Sequence, residues 1–196
     1  MAEKEKLGGK KLQIVKHAYD RFYDGGFHAT GVDTVLADTG ISKRTLYKHF
    51  PTKEDLIEAV LDHYAVGVAQ HLFEPVTAKG GDALAQIEAL FDVRKALSDT
   101  QPTRGCLGIK AAQEYAGRHA GIAAWGERAA QEVESQFVRL CEQAGVAHPA
   151  DLGRQINILF QGAVLLAQVL GDSSPFVQAK LAVSTLLDAA GASRQT

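Results

Sequence analysis

FYDGGFHATGVDTVLADTGISKRTLYKHFPTKEDL, residues 22–56, decides the fold of this 196-residue chain. It reads as a short helix, a tight turn at Gly40-Ile41 and a second short helix opened by Ser42. Gly40 permits the sharp turn, Ile41 plugs the angle between the helices, and the Ser42 hydroxyl can satisfy an open N–H of the helix it precedes. In that second helix Leu46 and Phe50 lie four residues apart and point inward together, while Lys43, Arg44, Thr45, Tyr47, Lys48 and His49 face out. An apolar inner pair under a dense set of donors suits a polyanion. The stretch is a helix-turn-helix, and DNA is the first partner to consider.

Working outward, Ile14, Val15, Ala18 and Phe22 form one stripe of a helix over residues 12–23. Asp24-Gly25-Gly26 stops it, and Phe27 returns an aromatic ring to the small core. Thr30 is expected to cap the next helix, with Asp33 in the capping-box position and Val32, Val35 and Leu36 on its inner face. Thr52 repeats the device ahead of Glu54 and Asp55, whose charges suit the positive end of a helix. The charge is uneven. Residues 1–53 hold ten Lys/Arg against six Asp/Glu, a surplus of +4, and the remainder holds −6, giving the chain its net −2. The basic end points at nucleic acid, although the chain as a whole is no DNA-coating protein.

The runs GFHAT and ADTGISKRTLYKHFPTKEDL resemble the N-terminal domain of the TetR family of bacterial transcriptional regulators, over roughly residues 12–60. Leu36, Thr39 and Gly31 depart from the residues usual there. The resemblance implies an all-α chain, with a three-helix DNA-binding domain at 1–53 and a larger helical effector-binding and dimerisation domain at 54–196. It places Tyr47 and His49 at aromatic or basic phosphate-contact positions and Lys53 at a backbone-contacting lysine. Lys43, Arg44, Thr45 and Tyr47 are the expected groove-facing set, with Arg44 placed to read a guanine edge. Thr30, Lys48, His49 and Lys53 are expected to hold the DNA backbone, with Ser42 on the same surface.

Beyond Lys53 the chain reads as helix nearly throughout, with glycine and proline breaks near 75–82, 99–105, 117–121, 145–149 and 171–175. A long helix from Lys53 is followed by helices over 83–97, 106–116, 122–144, 150–170 and 175–189. No flexible linker separates the two parts, so the helix from Lys53 connects them directly. The last two helices carry broad apolar faces. Ile156, Leu159, Phe160, Ala163, Leu166, Leu170, Phe176 and Leu186 read either as a dimer surface or as core. The resemblance favours the dimer, since family members pair these two helices into a four-helix bundle. Two recognition helices on a palindrome also give the specificity that one lacks.

The middle of the chain is expected to hold a small organic effector. Phe91, Cys106, Lys110, Gln113, Trp125, Phe137 and Phe160 are the candidate lining, and each aromatic has an ordinary alternative as core. Cys106 opens a helix after Arg104-Gly105, where a helix dipole and a cation lower a thiol pKa. The run RGCLGIKAAQEYA resembles a subgroup of the same family in which some members respond to electrophiles or oxidants. Cys106 is thus a candidate redox sensor, or else a small packing residue.

Phosphate-cradling loops, nucleophile elbows and metal-ligand spacings are absent from the sequence, so neither catalysis, metal nor cofactor is expected. The opening MAEKEKLGGKK is charged, the longest greasy run is too short to span a bilayer, and the two cysteines have no pairing pattern. A cytoplasmic regulator without membrane attachment is the expectation. Two rival classes also fit the residues: a ligand-binding helical module whose DNA recognition has degenerated, and an enzyme built on Cys106.

Overall fold

The computed structural model describes residues 9–192, and every regular element among them is helical. The helices are α1 (Gly9–Gly25), α2 (Val32–Leu36), α3 (Lys43–His49), α4 (Lys53–Val68), α5 (Glu74–Lys79), α6 (Ala83–Thr100), α7 (Leu107–Tyr115), α8 (Ala120–Gln143), α9 (Pro149–Leu170) and α10 (Ser174–Ala189). A π turn, Ala69–Phe73, joins α4 to α5. Residues 1–8, the larger part of the charged opening read above, lie outside the described residues.

Side-chain caps set four of the starts. Ser42 accepts the Thr45 N–H at 3.2 Å, and Thr52 and Asp55 complete a reciprocal capping box. Asp82 accepts from the Ala85 N–H at 2.8 Å, and the His119 ring accepts from that of Ile122 at 3.2 Å. Thr30 does otherwise. Gly31 is the N-cap of α2 and offers no side chain, while the Thr30 hydroxyl is buried and donates to the Arg21 carbonyl at 3.2 Å. A threonine that closes the α1–α2 corner cannot also cap the next helix.

Pro75 does not end a helix, contrary to the sequence expectation. It enters the first turn of α5 directly after the π turn. Proline lacks the N–H that an α turn would need and its ring crowds the carbonyl four residues back; the wider turn accommodates both defects.

Two apolar cores result. The first gathers Ile14, Val15, Ala18 and Phe22 of α1 with Phe27, Val35, Leu46, Phe50 and the inner face of α4. It also takes in Leu107, Ala111, Tyr115 and Ile122 from α7 and the start of α8. The second lies among α6, α8, α9 and α10, where Phe91, Phe137, Phe160 and Phe176 interlock with ring centroids 5.2–6.2 Å apart. Ile156, Phe160, Ala163 and Phe176, expected as a dimer surface, are buried in this second core, and Leu159 and Leu186 pack half-buried against it. Leu166 and Leu170 of that set are exposed. The outward face of α9 and α10 is instead Ile158, Leu165, Leu166, Val169, Leu170, Val177 and Leu181.

Helix α8 belongs to both cores, through Ile122 at one end and Phe137 and Cys141 at the other. Glycines fasten α7 to it. A methyl on Gly126 would stand 2.3 Å from the Ala112 Cβ, and one on Gly108 would stand 2.9 Å from the Ala129 Cβ. Gly126→Ala is therefore expected to destabilise the chain by about 1–3 kcal/mol through overpacking. Gly67→Ala, in open space on α4, should instead stabilise by roughly 0.5–1 kcal/mol. Chemical denaturation of the two variants checks the pair; equal effects would contradict the close approach.

Candidate nucleic-acid interface and the seam behind it

The helix-turn-helix is closed by hydrogen bonds that use one of the unusual residues. The Thr39 hydroxyl donates to the Leu36 carbonyl at 2.8 Å and accepts from the Ile41 N–H at 3.1 Å. Asp38 and Gly40 take positive φ values of 62° and 66°, which reverse the chain between α2 and α3. Half-buried Ile41 fills the angle. Leu46 is wholly buried and Phe50 nearly so, and they anchor α3 to α1 and α4.

That anchoring turns the other side of α3 outward. Arg44 and Lys48 are exposed, Tyr47 is 45% exposed, and Thr45 and His49 are half-buried. Exposed Lys43 is held 2.8 Å from Asp33 of α2, and the carboxylate raises the pKa of its ammonium group. Ser42 holds the first turn, its oxygen also 3.0 Å from the Thr45 hydroxyl. Lys53 lies half-buried, with its ammonium 5.9 Å from the centre of the Phe22 ring. On the neighbouring flank Lys11 approaches the Phe50 ring at 5.6 Å. Seven side chains of α3 and the start of α4 are thus exposed or half-buried. Thr30 does not join them, because its hydroxyl is already engaged inside the corner.

The candidate effector lining is brought together only in part. Phe91, Phe137 and Phe160 occupy the second core, Gln113 is exposed, and the Trp125 ring carries the Arg128 guanidinium 4.1 Å from its centre. Lys110 instead donates to the Tyr23 carbonyl at 2.7 Å. Cys106 caps α7 without a side-chain hydrogen bond and is half-buried against the second core, with the Tyr64 hydroxyl as a hydrogen-bonding neighbour. Arg104, the cation expected beside this thiol, is drawn away. It reaches Asp20 at 2.9 Å and Asp24 at 3.2 Å, and lies over the Tyr19 and Tyr23 rings. Cys141 is core, and burial pushes its thiol up to about 11.

Arg104 is one strand of a seam between α1 and the α6–α7 region that sequence reasoning missed. The Tyr23 hydroxyl donates to the Gly105 carbonyl, and burial raises its pKa, so it remains a donor. Glu114 accepts the backbone N–H groups of Phe27 and His28 at 3.1 and 2.7 Å. The His28 ring stacks on Tyr115 at 4.6 Å and pairs with the Glu114 carbonyl at 2.8 Å. Burial pushes the Tyr115 phenol up to about 12. The partners stand eighty or more residues apart in the chain, beyond the reach of any local pattern.

Among the described residues no helix is long and apolar enough to cross a membrane, and no cluster of three or more metal-ligating side chains occurs. Residues 14–60 match the family described as bacterial regulatory proteins, tetR family. Over 177 residues the chain is 28% identical to the HTH-type transcriptional regulator YxaF of Bacillus subtilis, spanning 87% of this chain and 91% of that protein. It is 38% identical over 87 residues to the HTH-type transcriptional activator FasR of Mycolicibacterium smegmatis, 42% of this chain and 39% of FasR. SCO4454, a TetR-family transcriptional regulator from Streptomyces coelicolor, shares the fold with a TM-score of 0.84 over 91% of this chain and 94% of its own, at 23% identity. The family match falls on the helix-turn-helix, so residues 14–60 are a DNA-binding domain of the tetR family of bacterial regulatory proteins, in a chain that is similar along nearly its whole length to an HTH-type transcriptional regulator.

Proposed function

We propose that the chain is a cytoplasmic, homodimeric repressor that binds a palindromic operator and is released by a small organic effector. The observation that carries the proposal is α3 itself, anchored by Leu46 and Phe50 with Arg44, Tyr47 and Lys48 left on its open side. Lys43, Arg44, Thr45 and Tyr47 are the groove-facing set. Arg44 supplies the planar fork that pairs with a guanine edge, and Lys48, His49 and Lys53 meet phosphates. Ser42 fixes the first turn of the helix.

A second copy of the chain is the occupant proposed for the outward face of α9 and α10. That face exposes Leu165, Val169 and Leu181 at 54%, 71% and 60%. Contiguous apolar surface of this kind marks an association site. A two-fold dimer also sets two recognition helices one DNA turn apart, about 34–36 Å. The seam supports the release step. Effector-driven movement of α7 and α8 pulls on α1 through Arg104, Tyr23 and Glu114 and changes the spacing of the two α3 helices. A coupling of about 1–3 kcal/mol is the usual scale for such linkage.

Selection of bound sequences from random duplex DNA tests the proposal, with an enriched palindrome as the expected result. Arg44→Ala should cost about 1–3 kcal/mol on the selected operator and relax preference at one base pair. Lys53→Ala should weaken binding evenly across sequences and reduce the salt slope by about 1. Wild-type binding by both variants would remove α3 as the reading surface. Leu165→Glu combined with Val169→Glu should give a folded monomer by sedimentation that no longer holds the palindrome; an intact dimer would place the interface elsewhere.

A further inference from the structure

Between the C-terminal end of α6 and the α9–α10 turn lies an open cleft of about 630 Å³, lined among others by Lys95, Ser98, Asp99, Asp172 and Ser174. It adjoins the edge of the second core, where Ser174 and Val177 of its lining flank Phe176 on α10. Its inner wall is Ser98, only 4% exposed, whose oxygen accepts from Arg94 at 2.8 Å. Among the described residues Arg94 forms no ion pair with a carboxylate. Its other donors meet the carbonyls of Arg104 at 3.0 Å and Gly105 at 3.4 Å, and its guanidinium lies 5.8 Å from the centre of the Phe176 ring. A partly buried cation is ordinarily matched by an anion; here only neutral acceptors and a ring face it.

The polarity of the cleft follows. The Ser98 oxygen accepts from Arg94, which leaves the hydroxyl hydrogen to donate with a cation behind it. Lys95, one turn earlier, is tied to Asp99 at 2.9 Å in an exposed pair of the kind that exchanges partners readily. The rim has the opposite character. Asp99 accepts from Lys95 and the Ser173 hydroxyl, and Asp172 from the Ser174 hydroxyl and N–H; these bonds hold both carboxyls below the usual range. Donors and positive charge within, and ionised acceptors at the mouth, match a molecule with an anionic head and a hydroxylated tail.

The inner wall is also wired to the DNA-binding end. The Gly105 carbonyl accepts from Arg94 and from the Tyr23 hydroxyl of α1. We propose that the cleft binds a small hydroxylated carboxylate, its anionic oxygen at Ser98 and Lys95, and that occupancy draws Arg94 off Gly105 and loosens the hold on Tyr23. The coupling half of this inference rests on the regulator reading; the binding half does not.

Gluconate and its neutral counterpart glucitol, titrated into the full chain at constant ionic strength and followed by calorimetry, test it. Saturable millimolar or tighter binding of gluconate is expected, with none for glucitol. Ser98→Ala and the surface variant Lys95→Gln should each weaken it about tenfold, the scale of one lost charge-assisted hydrogen bond. Equal uptake of both compounds, no saturable heat, or indifference to both substitutions would overturn the site. On the selected operator, gluconate should lower affinity roughly tenfold. Tyr23→Phe should keep gluconate binding and lose that response. Binding of gluconate without any effect on a recognised operator overturns the coupling. Binding by a chain that selects no operator supports the site while the regulator reading fails.

Discussion

At Gly108 and Gly126 the backbones of α7 and α8 approach so closely that a methyl group on either would overlap its neighbour. The two helices consequently behave as one rigid hairpin, and the architecture is organised around it. One end of the hairpin is built into the core of the DNA-binding half through Leu107, Ala111, Tyr115 and Ile122. The other end supplies Val133, Phe137 and Leu140 to the core of the C-terminal half. Close-packed interiors transmit displacement instead of absorbing it. A hairpin shared by two cores therefore relates their positions more directly than a single connecting helix could.

Electrostatics refines what packing establishes. The seam beside the hairpin concentrates charge-assisted bonds that each tolerate little change in direction, Arg104 against two aspartates and Glu114 against two backbone amides. Apolar contacts on the same boundary are less directional. The boundary is thus held against separation by bonds that are sensitive to rotation. Cys106 sits at this boundary with Tyr64 on one side and the second core on the other.

Local features were legible in the sequence and long-range ones were not. The helix-turn-helix could be read because Ser42, Leu46 and Phe50 act within a few residues of one another. The Thr52 capping box announced itself for the same reason. Thr39, which looked like a departure from the family, holds the turn through two hydrogen bonds. Thr30 was misread because its hydroxyl finds the Arg21 carbonyl, a partner upstream of the helix it was expected to cap. Apolar periodicity identified α9 and α10 but did not distinguish their inward from their outward faces. Both faces are greasy there, and only packing separates Phe160 and Phe176, at 2% and 1% exposure, from Leu165 and Val169. Three of the aromatics expected at the effector site, Phe91, Phe137 and Phe160, stand in ring-to-ring contact with one another, and Phe160 with Phe176, a tertiary arrangement that helical spacing does not encode. Arg94 and the seam required the tertiary structure.

The π turn at Ala69–Phe73 gives the connecting helix a geometric property of its own. A π turn stores one residue beyond what an α ladder needs. Pro75 confines that surplus on its C-terminal side, because no N–H is available there to re-form the ladder. The inserted residue shifts the apolar pattern of the helix by one position, about 100° of azimuth and about 1.5 Å of rise. Before the π turn the helix gives Leu56, Ile57, Val60 and Leu61 to the first core; within and after it, Leu72 and Val76 go to the second.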